Sequence, residues 1–301
     1  MATQTKAIRR KPRGWAATLN IQRVRHLVQF GFLAFIGLVM AQHALTPETS
    51  TSVVTSPEAF CPFGGVETLY KFVTTGGQYV SHAHASSIIL FVAILVSAVF
   101  AKSYFCGWVC PFGTIQEWIS TLSHWLQRKV SPLGSAVRWL KVNLAFLASL
   151  DPWLRYGKYL VLAWATFGAA IFGVMVFRDY DPWAALLTVT ELQLGFGFGV
   201  LVLVLVASFF VERPWCRYAC PLGAVIGIAG KASLLKIQRE GQACAGCNLC
   251  SKKCPMGIPV ETLSRVDSAD CNMCLQCVGS CPRQGALDLH LSLPGLKSQA
   301  H

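Results

Sequence analysis

The chain has 301 residues, of which 53% are hydrophobic and only 13% charged, with a formal net charge of +12. Soluble domains carry about 25% charged residues, so the composition excludes an ordinary soluble globule and a disordered chain and directs attention to long apolar runs. Thirteen cysteines, grouped in motifs in a chain too long for a secreted disulfide scaffold, point to metal ligation.

The first 46 residues hold seven basic side chains (Lys6, Arg9, Arg10, Lys11, Arg13, Arg23, Arg25) and no acidic one. By the positive-inside rule this end is cytoplasmic. Arg9-Arg10 precedes an apolar run longer than a signal h-region, with no clean small-residue cleavage site after it, so the run reads as an uncleaved anchor. Four runs reach the ~20 residues a bilayer crossing needs: Leu27 to Thr46, Ser87 to Phe105, Tyr159 to Phe177 and Leu194 to Val211. The run Val142 to Leu150 is too short and reads as interfacial or buried. Glu48, Glu58, Glu67 and Lys71 lie between the first two runs, and Arg178, Asp179, Asp181 and Glu191 between the last two. Both segments are poor in Lys and Arg, as external loops are. Arg128, Lys129, Arg138, Lys141, Arg155 and Lys158 mark the middle loop as cytoplasmic. The pattern predicts a multi-pass inner-membrane protein with both termini in the cytoplasm. The +12 then reflects topology and attraction to anionic lipid rather than nucleic-acid binding.

The outer segments hold Cys61, a lone cysteine before PFGG, and polar groups suited to a quinol: Glu67, His82, His84 and Asp181. A quinol site needs an apolar slot, a proton acceptor and a donor, and histidine titrates near neutral pH. Cys61 reads as structural near the membrane surface, or as redox-active. No histidines stand in the last two runs, so bis-histidine haem is not expected. Thr114 to Gln127 looks amphipathic and is expected to lie along the inner surface.

At the inner ends of the second and fourth runs the sequence repeats itself. FCGWVCPFG holds Cys106, Cys110 and Pro111; WCRYACPLG holds Cys216, Cys220 and Pro221. Two similar helical hairpins would bring both C-x3-C-P pairs to one face. Cysteines at i and i+4 share a helix face, and the proline breaks the helix directly after them. Two readings stay open: a further metal ion or cluster, or four buried structural cysteines.

The densest signal comes last. CAGCNLCSKKCP places Cys244, Cys247, Cys250 and Cys254 before Pro255; CNMCLQCVGSCP places Cys271, Cys274, Cys277 and Cys281 before Pro282. Both follow the C-x2-C-x2-C-x3-C-P spacing of bacterial ferredoxins, in which the fourth cysteine ligates the other cluster. Cys244, Cys247, Cys250 and Cys281 are therefore assigned to one [4Fe–4S] cluster, and Cys271, Cys274, Cys277 and Cys254 to a second. Zinc modules take a single four-ligand set in separated pairs, which fits this arrangement poorly. Lys252 and Lys253 stand beside a ligand, as solvated loop lysines or as charges that favour the reduced cluster.

With these residues placed, the chain resembles membrane-bound ferredoxin-like proteins of the NapH, NosR and CcoG kind, and its four-run layout is most similar to NapH-type proteins. The resemblance rests on the two C-x3-C-P motifs and the two-cluster module behind them. It implies an all-α membrane domain of four transmembrane helices in two similar hairpins, followed by a small α+β ferredoxin-like domain. The corresponding division is a basic segment 1–26, a helical membrane domain 27–230 and a ferredoxin-like domain 231–301. The resemblance further implies two [4Fe–4S] clusters and a quinol dehydrogenase component feeding electrons from the quinone pool to a redox partner, such as a second ferredoxin-type subunit or a cytochrome. NosR-like proteins carry an extra flavin domain, for which outer loops of roughly 40 and 16 residues are too short. CcoG-like proteins imply an alternative, copper reduction during oxidase assembly. A redox-sensing regulator is a third reading, without an effector domain to support it.

Overall fold

The computed structural model describes residues 21–45, 62–66, 85–143, 145–172, 176–187, 195–283 and 285–291. Cys61, Glu67, His82 and His84 lie outside these residues. α1 (Ile21–Leu45) is an unbroken run of helix-forming and apolar residues without proline. α2 (Ala85–Ala101) stops where Lys102 turns left-handed, at φ 53°. After α3 (Tyr104–Trp108), Cys110 is extended and Pro111 opens α4 (Pro111–Lys129). Proline suits a first helical position because its missing N–H needs no partner there.

Two helices follow, α5 (Ser131–Asn143) and α6 (Ala145–Leu154), the latter with Pro152 inside it. α7 (Gly157–Phe172) leads to α8 (Pro182–Leu187), whose start is capped by Asp181: its Oδ1 accepts from the Trp183 backbone N–H at 3.1 Å. Then come α9 (Phe196–Ser208), α10 (Pro214–Tyr218) and α11 (Pro221–Ala229). The C-terminal unit starts with strand β1 (Leu235–Arg239), continues through α12 (Leu249–Lys252) and α13 (Gln276–Ser280), and closes with β2 (Leu287–Leu291). β1 and β2 pair antiparallel, Ile237 opposite Leu289.

The expected four transmembrane helices are not supported. Among the described residues, one helix is long and apolar enough to cross a membrane, over Ile21–Gln42. Within the described residues α2, α7 and α9 have 17, 16 and 13 residues, so at 1.5 Å per residue these extend about 25, 24 and 20 Å, short of a ~30 Å hydrocarbon core. The apolar counts ran past helix ends. The run to Phe105 crosses the left-handed Lys102, and the run to Val211 passes the end of α9 at Ser208. With the spans goes the argument from alternating loops for a multi-pass topology.

Three packed groups hold the described chain. Phe63, Phe91, Ile94, Ala165, Phe177 and Ile226 join α2, α7 and α11. Phe112, Leu201 and Val204 join α4 to α9. The C-terminal unit has its own core of Ile237, Ile258, Val260, Val266, Met273 and Leu287, completed by Trp108 from the first cysteine pair.

Candidate metal centres

The two four-cysteine runs fold as copies of one loop. In the first, Gly246 (φ 66°) and Asn248 (φ 55°) are left-handed on either side of Cys247; in the second, Met273 (φ 50°) and Leu275 (φ 57°) flank Cys274 in the same way. Non-glycine residues seldom adopt this conformation, and it costs them roughly 1–2 kcal/mol each. Alternating handedness turns successive backbone N–H groups to one side, a concavity suited to anions and iron–sulfur groups. The N–H groups bear this out: those of Gly246, Met273, Gln276 and Val278 face the sulfurs of Cys244, Cys271, Cys274 and Cys277, and Ile258 N donates to Cys254 Sγ at 3.4 Å. Short helices α12 and α13 follow the left-handed Asn248 and Leu275.

Each run sends its fourth cysteine across. Cys244, Cys247, Cys250 and Cys281 line one small cavity, and Cys254, Cys271, Cys274 and Cys277 line another. The sets differ in depth. Cys247 is exposed, whereas Cys271, Cys274 and Cys277 are buried. Burial pushes the Cys274 thiol up to about 11, with Arg25 opposing. Cys271 and Cys277 are also raised by burial. Such thiols stay protonated unless a metal replaces the proton, which is the chemistry of a ligand set. Among the described residues, no three His, Cys, Asp or Glu side chains stand close enough to hold a single metal ion; the eight thiols border spaces instead.

The C-x3-C-P pairs are built alike. Cys110 (φ −60°, ψ 113°) and Cys220 (φ −68°, ψ 111°) have the same backbone conformation, each capping the helix that its proline opens. Cys106 and Cys216 lie in the five-residue helices α3 and α10 just before. All four thiols line one cavity of about 300 Å³ with Phe112, Phe177, Trp183 and Trp215, and with Lys158, Asp181 and Arg213 as its charged side chains besides Asp270. Gly223 N donates to Cys220 Sγ at 3.3 Å, and Gln116 Nε2 lies 3.6 Å from Cys216 Sγ.

This cavity adjoins the C-terminal unit. Asn272, between Cys271 and Cys274, also lines it. A Cβ on Gly107 would stand 2.1 Å from the Asn272 carbonyl oxygen, so only glycine permits this approach. Trp108 Nε1 donates to Met273 O at 2.9 Å. The N-terminal helix joins the same contact, through Gln22 Nε2 to Cys274 O (3.0 Å) and Arg25 Nε to Gly107 O (3.0 Å).

Sequence reasoning missed the ion network beneath. Glu117, Arg25 and Arg213 are all buried. Glu117 receives both guanidinium groups, Arg213 Nη2 at 2.5 Å, with Gln276 Nε2 at 2.9 Å. Burial alone would raise this carboxyl, but Arg213 and Arg25 outweigh it and hold it down to about 2. A second network joins Lys158 and Arg155 to Asp270, beside Cys271. The available signal was placement: Arg25 stands at the head of an apolar run and Glu117 inside an amphipathic helix. Of the quinol candidates, the described one is Asp181. It is buried in the four-thiol cavity, away from solvent, and burial pushes its carboxyl up to about 7 against the N–H groups of Trp183 and Ala184. Glu67, His82 and His84 are not placed.

The family described as "4Fe-4S binding domain" matches residues 83–132 and again 193–240, each match holding one C-x3-C-P pair. The family described as "4Fe-4S dicluster domain" matches residues 236–286, the segment with all eight remaining motif cysteines. The protein YccM of Escherichia coli (strain K12), named for electron transport, is 33% identical over 84% of this chain and 69% of its own length. The ferredoxin-type protein NapH of Haemophilus influenzae is 31% identical over 65% of this chain and 64% of its own. The regulatory protein NosR of Stutzerimonas stutzeri is 25% identical over 85% of this chain but only 32% of its own length. No solved structure matches.

Proposed function

This chain belongs to the NapH/NosR-type ferredoxin-like iron–sulfur proteins, and from that premise we propose an electron-transfer protein with two [4Fe–4S] clusters in its C-terminal unit. Cys244, Cys247, Cys250 and Cys281 would hold one, and Cys254, Cys271, Cys274 and Cys277 the other. The observation that carries this reading is the sorting of eight thiols into two four-thiol cavities, with the fourth cysteine of each run exchanged. Bound clusters supply reversible one-electron chemistry. The chain's own residues set the surroundings: N–H groups turned to the sulfurs, and the buried cations Lys102, Arg25 and Arg213 near the deeper set. The exposed Cys247 makes the shallower set the place where a soluble redox partner docks.

Attachment to a membrane is part of the proposal. It is supported by the apolar helix Ile21–Gln42, on which Leu27, Phe30 and Leu38 face outward, and by the basic segment before it. α4 adds Trp118, Leu122 and Trp125, also exposed, as suits a helix lying in the interface. The proposed electron donor is a membrane quinol. Its support is the apolar cavity holding Asp181, poised to take a proton near neutral pH, and the buried Trp183 Nε1–H, which finds no acceptor among the described residues.

The test is anaerobic titration of the full chain in detergent with a quinol, followed by EPR. Reduced-cluster signals should appear, and Cys274→Ser should remove one set of them. Iron-free protein would overturn the cluster assignment. Clusters reducible by dithionite but by no quinol would overturn the donor alone.

A further inference from the structure

We infer that Cys106, Cys110, Cys216 and Cys220 together hold a third iron–sulfur cluster, set between the two C-x3-C-P segments and against the deeper cluster site of the C-terminal unit. The inference deepens the electron-transfer reading and rests on it for the other two clusters. Neither 4Fe-4S binding match contains more than two motif cysteines, so neither can complete a four-thiolate site by itself. The fold supplies the missing half: thiols 110 residues apart in sequence line one cavity. Cys106 and Cys110 come from α3 and the cap of α4, Cys216 and Cys220 from α10 and the cap of α11.

Three features separate this arrangement from four packed structural cysteines. A structural cysteine fills space as a small apolar side chain, yet these four lie on the wall of a cavity of about 300 Å³, which they line together with Phe112, Phe177, Trp183 and Trp215. Two of the sulfurs also receive donors, Cys220 Sγ from Gly223 N and Cys216 Sγ from Gln116 Nε2, and Cys110 and Cys220 stand at the N-termini of α4 and α11, whose partial positive charge suits an anionic cluster. Finally, the surroundings carry buried cations, paired with Glu117 and Asp270, and unused donors. Arg213 and Lys158 are buried at the cavity, and Arg213 Nε and Asn272 Nδ2 are buried without partners among the described residues. A four-thiolate cluster is anionic and would use them. Thiols spread around a space suit a multinuclear core rather than one ion. Loading forms four Fe–S bonds in place of four S–H bonds and releases four protons; two ferrous and two ferric ions with four inorganic sulfides are the co-reactants for a cubane in its 2+ state, and two ferric ions with two sulfides for a binuclear cluster, so neither needs a further oxidant.

The position gives the site a purpose. Gly107 abuts the Asn272 backbone and Trp108 bonds Met273. The third cluster would thus lie one loop away from the Cys271–Cys274 site, on the side of Asp181 and Trp183.

Iron and acid-labile sulfide are counted on anaerobically purified, iron- and sulfide-reconstituted full chain in detergent, alongside Mössbauer spectra. About twelve iron per chain is expected for three cubanes, or about ten if the third is binuclear. Cys106→Ser with Cys216→Ser should lose the excess over eight and leave the ferredoxin EPR signals in place. About eight iron in the unaltered chain, with spectra of two cubanes, overturns the third cluster and leaves the proposed function standing. Fewer than eight, unresponsive to Cys247→Ser and Cys274→Ser, overturns that function instead. The count and spectra of the unaltered chain decide the matter even if the double variant does not fold.

Discussion

Glu117 is a carboxylate held between Arg25 and Arg213 with all three side chains buried. Removing one partner of a buried pair leaves its charges uncompensated, at about 3–5 kcal/mol. Glu117→Gln should therefore lower the unfolding free energy of the full chain by that order, and Glu117→Asp by less; equal unfolding midpoints for Gln and wild type would contradict the network's role. Its pKa is lowered from 4.5 to about 2, so the stability it contributes is fully present above about pH 6 and is lost as pH falls through 4.5 toward 2. Asp181 behaves oppositely. Folding raises its pKa from 3.8 to about 7, so the folded state holds the proton more tightly than the unfolded. Its neutral form leaves stability complete below pH 3.8, and stability falls as pH rises to about 7, by on the order of 4 kcal/mol in all. Asp181→Asn should be more stable than wild type at pH 8, with the gap shrinking as pH is lowered to 5. A gap independent of pH would show that the carboxyl is not buried as described. The same variant should slow reduction by quinol, because it cannot accept a proton.

At the scale of elements, α4 shows what the sequence pattern could and could not convey. Its amphipathic run was legible from periodicity alone, but the direction of the faces was not. Gln116, Glu117, Ser120 and Ser123 are buried, and Trp118, Leu122 and Trp125 face outward. A polar row is normally read as the solvent face; here it finds partners inside, Ser120 Oγ donating to Ser208 O at 2.8 Å and Ser123 Oγ to Phe209 O at 2.6 Å. The inversion suits a helix whose outer neighbour is lipid. Each large apolar side chain contributes about 1.5–3 kcal/mol on burial. Replacing Trp118, Leu122 and Trp125 together with serine should therefore weaken binding to lipid vesicles more than tenfold, read by flotation, while the iron content stays unchanged. Undiminished flotation would leave α1 as the sole anchor. The helix lengths were misread for a related reason. Hydropathy counts apolar residues but does not register the left-handed turn at Lys102 that ends α2.

At the scale of the whole molecule, two kinds of site were unequally visible. The eight motif cysteines stand in loops of a few residues, so spacing alone proposes two ligand sets, and each proposed set lines one cavity. The four C-x3-C-P cysteines meet only through packing between distant segments, and their union needed the fold. The join between these regions includes Lys102 to Val266, Arg155 and Lys158 to Asp270, and a tight point at Gly107, where any Cβ would meet the Asn272 carbonyl oxygen. Gly107→Ala must push α3 away from the Cys271–Cys274 loop and strain the Trp108 bond to Met273. Overpacking of this kind costs about 1–3 kcal/mol, a loss the chain can survive folded. The variant should keep its ferredoxin iron, and dithionite should still reduce it, since the shallower set with Cys247 remains exposed. Under the proposed quinol donation at Asp181, reduction by quinol should slow markedly, because electrons arriving there would reach the C-terminal unit across this contact. Stopped-flow absorbance with each reductant separates the two routes. Equal slowing with both would mean that the substitution damages the clusters themselves, and no slowing with quinol would mean that electrons enter elsewhere.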